Sequence, residues 1–115
     1  MRPRILVVDD DREMVRTLVD ILRLHGWDPA EAYSGEEALS QQAEHKYPCV
    51  LMDIKMPGID GISAFKAMKE AFPDCRVILM TAHGLPDVIA QAAREGPYRV
   101  VPKPLDLPAL LALLD

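Results

Sequence analysis

Short apolar runs alternate with helical patterns along the whole chain. Most of the runs are rich in valine, leucine, isoleucine and methionine, a composition typical of strands that are covered on both faces of a sheet. They predict five strands, at residues 5–8, 27–32, 49–53, 76–80 and 99–101. The second run is the weakest, and Pro29 predicts that it is an edge strand, because proline cannot donate a hydrogen bond to a central ladder.

Each apolar run is followed by a segment with helical spacing and its own start or stop signal. The predicted capping residues at helix starts are Asp11, Ser34, Asp60 and Asp106. Ser34 and Glu37 have the spacing of a capping box, in which each residue's side chain binds the backbone N–H of the other. A fourth helix is predicted over residues 86–95, with Gly96 as its stop.

Five strand–helix units in alternation predict an α/β fold, with a doubly wound five-stranded parallel sheet and helices on both faces. A chain of 115 residues is the length of one domain with its own core. In open parallel sheets the ligand site lies beyond the carboxyl ends of the strands. The polar residues at those ends are therefore the first candidates for function.

Four of the predicted strands end in polar residues that we expect to converge on one spot, namely Asp9, Asp10, Asp53, Thr81 and Lys103. Three carboxylates at one site require a compensating cation, and oxygen-rich sites of this kind select Mg2+. A lysine ammonium and a threonine hydroxyl would complete a site for a phosphoryl group. A central carboxylate can itself be the nucleophile and become an aspartyl phosphate.

Taken singly, each of these residues has an ordinary structural explanation. Asp9 and Asp10 alone would be a solvated charge run, Thr81 a cap or a filler, and Lys103 a surface lysine. Their occurrence at successive strand ends makes the functional interpretation much sharper.

Composition and charge narrow the class of protein. The net charge of −5 argues against a bare nucleic-acid-binding module, which would carry a basic face. We find no signal-peptide pattern and no apolar stretch long enough to cross a membrane, so we expect a cytoplasmic protein without membrane contact. Cys49 and Cys75 form no CxxC motif and are expected to be reduced thiols.

Four sequence blocks, ILVVDDD, LMDIKMPGIDG, ILMTAHG and VPKPLD, resemble the signature blocks of response regulator receiver domains. They occur in the family's order and cover essentially the whole chain. The resemblance implies a flavodoxin-like (βα)5 fold with strand order 2-1-3-4-5. It also implies a phosphoacceptor signalling switch of a two-component phosphorelay, with no catalysis beyond its own phosphorylation and dephosphorylation.

The resemblance assigns roles to single residues. Asp53 is the expected phosphoacceptor, and Asp9, Asp10, Asp53 and the backbone carbonyl of Lys55 are the expected ligands of Mg2+, with Asp10 the most direct. Thr81 is expected to hydrogen-bond the phosphoryl group and to move when it arrives. Lys103 is expected to pair with Asp53 or its phosphate, and its bond to Pro104 resembles the family's cis peptide.

The implied partners are a sensor histidine kinase and an output domain or downstream protein. A homodimer through the surface of the fourth helix, fifth strand and fifth helix is also possible for such a domain. The final helix after Asp106 is short, so we expect it to continue beyond residue 115 and an output domain to follow.

One position departs from the family pattern. Receivers commonly carry tyrosine or phenylalanine three residues before the lysine, where this chain has Val100. Tyr98 lies two residues earlier, and strand alternation puts both residues on one side of the sheet. We therefore expect a weaker or displaced aromatic switch made by Thr81, Val100 and Tyr98.

Three alternatives stay open at this stage. A haloacid-dehalogenase-like phosphatase requires the motif DxDx[TV] after its first strand, where this chain has Asp9-Asp10-Asp11-Arg12. A flavodoxin-like FMN carrier requires a phosphate-binding loop after the first strand. The acidic residues that this chain has there would repel the FMN phosphate. A receiver that works without phosphorylation would not need the phosphorylation residues that are all present here.

Overall fold

The structure of the protein is a computed structural model that describes residues 3–56, 58, 61–81, 90, 94, 96–97 and 99–114. The strands are β1 (Arg4–Val8), β2 (Asp28–Ala32), β3 (Cys49–Asp53), β4 (Arg76–Thr81) and β5 (Arg99–Pro102). The helices are α1 (Arg12–Leu24), α2 (Gly35–His45), α3 (Gly61–Ala71) and the C-terminal helix (Leu107–Leu114). Of the predicted fourth helix, residues 90 and 94 are described and both are helical, while its other residues lie outside the described part.

The five strands form one parallel sheet in the order β2-β1-β3-β4-β5, which confirms the predicted fold class and strand order. β2 is the edge strand that Pro29 predicted. The carbonyl oxygen of Glu31 in this strand accepts a hydrogen bond from the side-chain amide of Gln41, at 2.9 Å. The outer side of β2 is thus partly occupied by a side chain of α2, which lowers its capacity to pair with another strand.

Capping by aspartate and serine fixes where helices begin. Asp11 accepts from the backbone N–H of Met14 at 3.2 Å, and Asp106 accepts from that of Ala109 at 3.2 Å. Ser34 accepts from the N–H of Glu37 at 3.1 Å, which is half of the predicted capping box. The other half was wrong, because the Glu37 carboxylate accepts from the N–H of Tyr33 rather than from that of Ser34. The predicted cap Asp60 lies outside the described residues.

The sheet separates two apolar cores. On one face α2 and α3 cover the strands, and the largest buried side chains there include Leu6, Met52, Leu79, Phe65 and Met68. On the other face α1 and the C-terminal helix cover them, with Ile5, Leu51, Ile78, Leu22 and Leu110 among the buried residues. The central strands are therefore apolar on both faces, which explains why they read as continuous hydrophobic runs.

Gly61 lets α3 begin directly against the end of β3. Its N–H donates to the carbonyl oxygen of Ile54 at 2.7 Å. A Cβ at this position would lie 2.6 Å from the Cα of Ile54 and closer still to the carbonyl oxygen of Asp53. Both are backbone atoms that cannot rotate away, so only glycine fits here without moving the strand end that carries Asp53.

Two further findings concern the cysteines and the helices. Cys49 and Cys75 are free thiols, and burial raises the pKa of Cys49 to about 11 and that of Cys75 to about 12. Among the described residues, no helix is both long enough and apolar enough to cross a membrane.

Candidate functional site

Backbone hydrogen bonds continue past the strand ends and bring the candidate residues to one edge of the sheet. Asp9 N–H donates to the Ala32 carbonyl at 3.2 Å, and Lys103 N–H donates to the Thr81 carbonyl at 2.7 Å. The N–H of Ile54, next to Asp53, donates to the Met80 carbonyl at 2.9 Å. The residues that follow β1, β3 and β5 are therefore held by the main chain of the neighbouring strand.

Three carboxylates meet at this edge. Oxygens of Asp9, Asp10 and Asp53, which we call the acidic cluster, all lie within 4.8 Å of one another. Asp9 is 1% exposed and Asp53 is 4% exposed, whereas Asp10 is open to solvent. The cluster thus has two buried members and one that lines the entrance.

Lys103 is the cation of the cluster, but its closer partner is Asp9. Its Nζ lies 2.6 Å from Oδ2 of Asp9 and 3.5 Å from Oδ1 of Asp53. The other oxygen of Asp9, Oδ1, accepts from the N–H of Asp11 at 3.0 Å. Both oxygens of Asp9 therefore have protein donors. The Lys103–Pro104 peptide bond is cis, as predicted.

Asp53 and Lys103 each change the pKa of the other. Burial raises the pKa of Asp53 and the charge of Asp9 raises it further, while Lys103 and the backbone N–H of Lys55 oppose the shift. Burial lowers the pKa of Lys103, but its hydrogen bond to Asp9 and the charges of Asp53 and Asp9 outweigh this effect and raise it. The lysine thus stays charged, whereas the Asp53 carboxylate is incompletely compensated.

One oxygen of Asp53 carries the signature of an incomplete site. Its Oδ1 is buried and accepts no well-aligned hydrogen bond from any residue that the structure describes, although Lys103 Nζ is within ion-pair distance. Three carboxylates and one ammonium leave a formal charge of −2. Hard carboxylate oxygens with that net charge fit a small divalent cation such as Mg2+.

The other predicted residues are distributed around the cluster. Thr81 is 4% exposed at the end of β4, and Val100 lies beside Leu79 in the sheet and packs on the α2–α3 core. Thr81 and Leu79 share a face by strand alternation, so Val100 and Thr81 face the same side. Lys55 directs its backbone N–H toward Asp53 and its side chain is exposed. Tyr98 lies outside the described residues.

The sequence did not predict the pair formed by Arg12 and Tyr33. The guanidinium of Arg12 stacks over the ring of Tyr33, with its carbon 4.1 Å from the ring centre. Tyr33 also packs on the core under α1. The two residues are far apart in the chain and share no periodic pattern, so only the β2–α2 connection brings them together.

The family assignment follows from the match of the chain to a family model. The model for the response regulator receiver domain matches residues 5–115. The chain belongs to this family. Receiver domains are signalling domains of two-component systems, so the phosphatase and FMN-carrier alternatives are removed.

Individual relatives agree with the assignment. The chain is 34% identical to the chemotaxis protein CheY of Bacillus subtilis over 116 residues, covering 100% of this chain and 97% of CheY. It is 35% identical to a response regulator receiver protein of an Anaeromyxobacter species over 110 residues, covering 96% of this chain but 46% of that protein. The crystal structure of a CheX-CheY-BeF3-Mg2+ complex from Borrelia burgdorferi matches with a TM-score of 0.90 at 30% identity, covering 97% of this chain and 86% of that one.

The relatives differ greatly in length. The chain spans less than half of the Anaeromyxobacter protein and 25% of the Escherichia coli transcriptional regulatory protein ZraR, to which it is 38% identical. It spans nearly all of CheY. The shared part is the receiver domain in each case.

Proposed function

We propose that this domain is a switch that accepts a phosphoryl group on Asp53 in the presence of Mg2+. The observation that carries the proposal is the environment of the Asp53 carboxylate. It is buried within the acidic cluster, its Oδ1 lacks a well-aligned donor among the described residues, and the Lys103 ammonium is 3.5 Å away. Such an oxygen is available as a nucleophile, and a cation beside it can receive the charge of the incoming phosphoryl oxygens.

In the proposed reaction an Asp53 oxygen forms a bond to phosphorus while the bond from phosphorus to the donor's leaving atom breaks. The electron pair of that bond departs with the leaving group, a histidine nitrogen for a kinase donor. Lys103 is already fixed by Asp9 at 2.6 Å, so it contributes positive charge without having to be reorganised. The Thr81 hydroxyl is the proposed donor to a phosphoryl oxygen.

Asp10 and Asp53 are the proposed principal carboxylate ligands of Mg2+. Both oxygens of Asp9 already accept hydrogen bonds, from Lys103 and from the backbone of Asp11, so Asp9 acts mainly by adding negative charge. The backbone carbonyl of Lys55 remains the proposed third protein ligand. Bound Mg2+ would neutralise the cluster and the phosphoryl oxygens that approach it.

The proposed output is a change in the surface formed by the fourth helix, β5 and the C-terminal helix. It would begin with Thr81 turning toward the phosphoryl group. Val100 faces the same side as Thr81 but is too small to fill the space that Thr81 leaves. Tyr98 is therefore the proposed aromatic partner, with a weaker switch than a ring at position 100 would give.

The proposed donor is a sensor histidine kinase in the cytoplasm. The proposed recipient of the signal is an output domain or a separate protein. A homodimer through the surface of the fourth helix, β5 and the C-terminal helix is a further proposed form of the output. Two solved relatives support the chemistry. One is a response regulator from Burkholderia pseudomallei with a phosphorylated aspartic acid and a calcium ion, at 25% identity and a TM-score of 0.89. The other is the Borrelia CheY complex with BeF3 and Mg2+.

Incubation with acetyl phosphate and Mg2+, followed by intact-protein mass spectrometry, tests the proposal. We expect one added phosphoryl group in the parent protein and none in Asp53→Asn. In the same series, Asp10→Ala should weaken Mg2+ binding at least about tenfold, as for the loss of a group that supports a metal. Asp11→Ala is the matched control, because Asp11 caps α1 without belonging to the acidic cluster. Phosphorylation of Asp53→Asn at the parent rate would refute the assignment.

A further inference from the structure

Arg12 begins α1 two residues after Asp10 of the acidic cluster, and its side chain is held by a tyrosine that is itself fixed. Tyr33 receives the Arg12 guanidinium on its ring face, and its hydroxyl donates to the carboxylate of Glu31. Its backbone N–H donates to the Glu37 carboxylate at 3.3 Å. The ring is thus anchored at both ends, and stacking restricts an arginine side chain that would otherwise move freely in solvent.

The place of this cation is not explained by helix stability. Arg12 is the first residue of α1, where the helix dipole favours negative charge and disfavours a guanidinium. Its side chain is exposed, and no ion pair among the described residues includes it. The stack on Tyr33 offsets the unfavourable position and leaves the positive charge available to solutes.

Arg12 is also close to the acidic cluster. It follows Asp10 by two residues, so their Cα atoms are at most about 7 Å apart, since an extended chain spans about 3.6 Å per residue. The cluster with Lys103 has a formal charge of −2, and every phosphodonor is an anion. A donor therefore approaches against repulsion, and a fixed cation at the rim lowers that barrier.

From this placement we propose that Arg12 is a specificity-determining residue that draws anionic phosphodonors to Asp53 and favours donors with the larger negative charge. The inference rests on the proposed function, because it concerns the donor that Asp53 accepts. Arg12 acts through its charge at the rim and is not placed among the groups that bind the phosphoryl oxygens.

The test compares two small donors on Arg12→Gln, which removes the charge and keeps a planar side-chain end. Acetyl phosphate is a dianion near neutral pH and phosphoramidate a monoanion. For two unit charges about 8 Å apart, Coulomb's law in water gives a change of about two- to threefold per unit of donor charge. At low ionic strength and subsaturating donor, we expect the phosphorylation rate to fall about four- to ninefold with acetyl phosphate and about two- to threefold with phosphoramidate. Both effects should shrink in high salt.

Mg2+ affinity provides a second readout that moves in the opposite direction. Removing a cation from the rim should strengthen the binding of another cation, whereas a general loosening of the site would weaken both Mg2+ binding and phosphorylation. Tighter Mg2+ binding together with slower phosphorylation therefore identifies a charge effect. Weaker Mg2+ binding in Arg12→Gln would overturn the proposal.

The same helix supplies graded controls. Arg16 lies one turn further from the cluster and Arg23 lies near the far end of α1, at a rise of 1.5 Å per residue. We expect a smaller loss in Arg16→Gln and less than about a 1.5-fold loss in Arg23→Gln, because the separation and the screening both grow. Equal losses at Arg12 and Arg23, or equal losses with the two donors, would refute the inference while leaving Asp53 phosphorylation intact. A parent protein that no donor phosphorylates would refute the proposed function itself.

Discussion

Replacing Lys103 by methionine isolates the part that the ammonium plays in holding the acidic cluster together. Methionine keeps a long unbranched side chain and removes the charge. Asp9, which is 1% exposed, would then lose the donor at 2.6 Å and stay buried as an anion beside Asp53. We expect this variant to be markedly less stable than the parent when divalent cations are absent.

The magnitude follows from burial and from the remaining partners. Breaking a fully buried ion pair by removing one member costs about 3–5 kcal/mol. Lys103 is 17% exposed, and Asp9 retains the hydrogen bond from the Asp11 N–H, so the expected loss is below that range, at about 2–3 kcal/mol. With a urea m-value of about 1.5–2 kcal/mol/M, the unfolding midpoint should fall by about 1–2 M.

Urea unfolding in EDTA, followed by the fluorescence of the single tryptophan Trp27, measures the effect. The double variant Asp9→Asn/Lys103→Met is the matched control, because it removes both members of the pair. It should regain part of the lost stability, since Asp9 is then neutral and adds no charge beside the buried Asp53, which still lacks the Lys103 cation. Saturating Mg2+ should also restore the single variant more than it stabilises the parent.

Two results would refute this reasoning. A loss below about 0.5 kcal/mol in Lys103→Met would place the pair among surface ion pairs of little value. A double variant as unstable as the single one would mean that Lys103 contributes by packing rather than by compensating Asp9.

Two further predictions concern the end of β3. Burial and the charge of Asp9 raise the pKa of Asp53 above its unfolded value, so the ionised form of this side chain disfavours folding. The penalty is absent below the unfolded pKa and complete above the folded one, so Asp53→Asn should gain stability over the parent as pH rises through that interval in EDTA. A pH-independent difference in the free energy of unfolding would contradict this. Gly61→Ala should destabilise the protein by more than about 2 kcal/mol, and should slow phosphorylation of Asp53, because the new Cβ meets backbone atoms of the residues that end β3. Gly26→Ala, with open space around the Cβ and only a positive φ of 89° to strain it, is the control and should cost about 1 kcal/mol when thermal melts of the two variants are compared with that of the parent.

The sequence allowed the fold and the membership of the acidic cluster to be predicted for one reason. The apolar runs 5–8 and 49–53 are unambiguous strands, and the residues that follow parallel strands must meet at one edge of the sheet. Apolar periodicity carries that information without any knowledge of side-chain positions.

The details within the site depend on distances that no pattern contains. Lys103 was expected to pair with Asp53, and it does lie within ion-pair distance, but Asp9 takes the shorter contact. The stack of Arg12 on Tyr33 depends on how the β2–α2 connection passes the start of α1. The choice between Ser34 and Tyr33 as the partner of Glu37 is a difference of one backbone amide, which helix-capping rules do not resolve.

The division of the interior by the sheet has a consequence for how such a domain can diverge. Side chains such as Phe65 on one face and Leu22 on the other belong to different cores, and substitutions without shared partners usually have additive effects on stability. A lineage can therefore rebuild the helices on one face to suit a new partner while the opposite face keeps its packing. The strand ends between the two cores carry Asp53, and on the α2–α3 face such changes must keep Gly61, which packs against the end of β3.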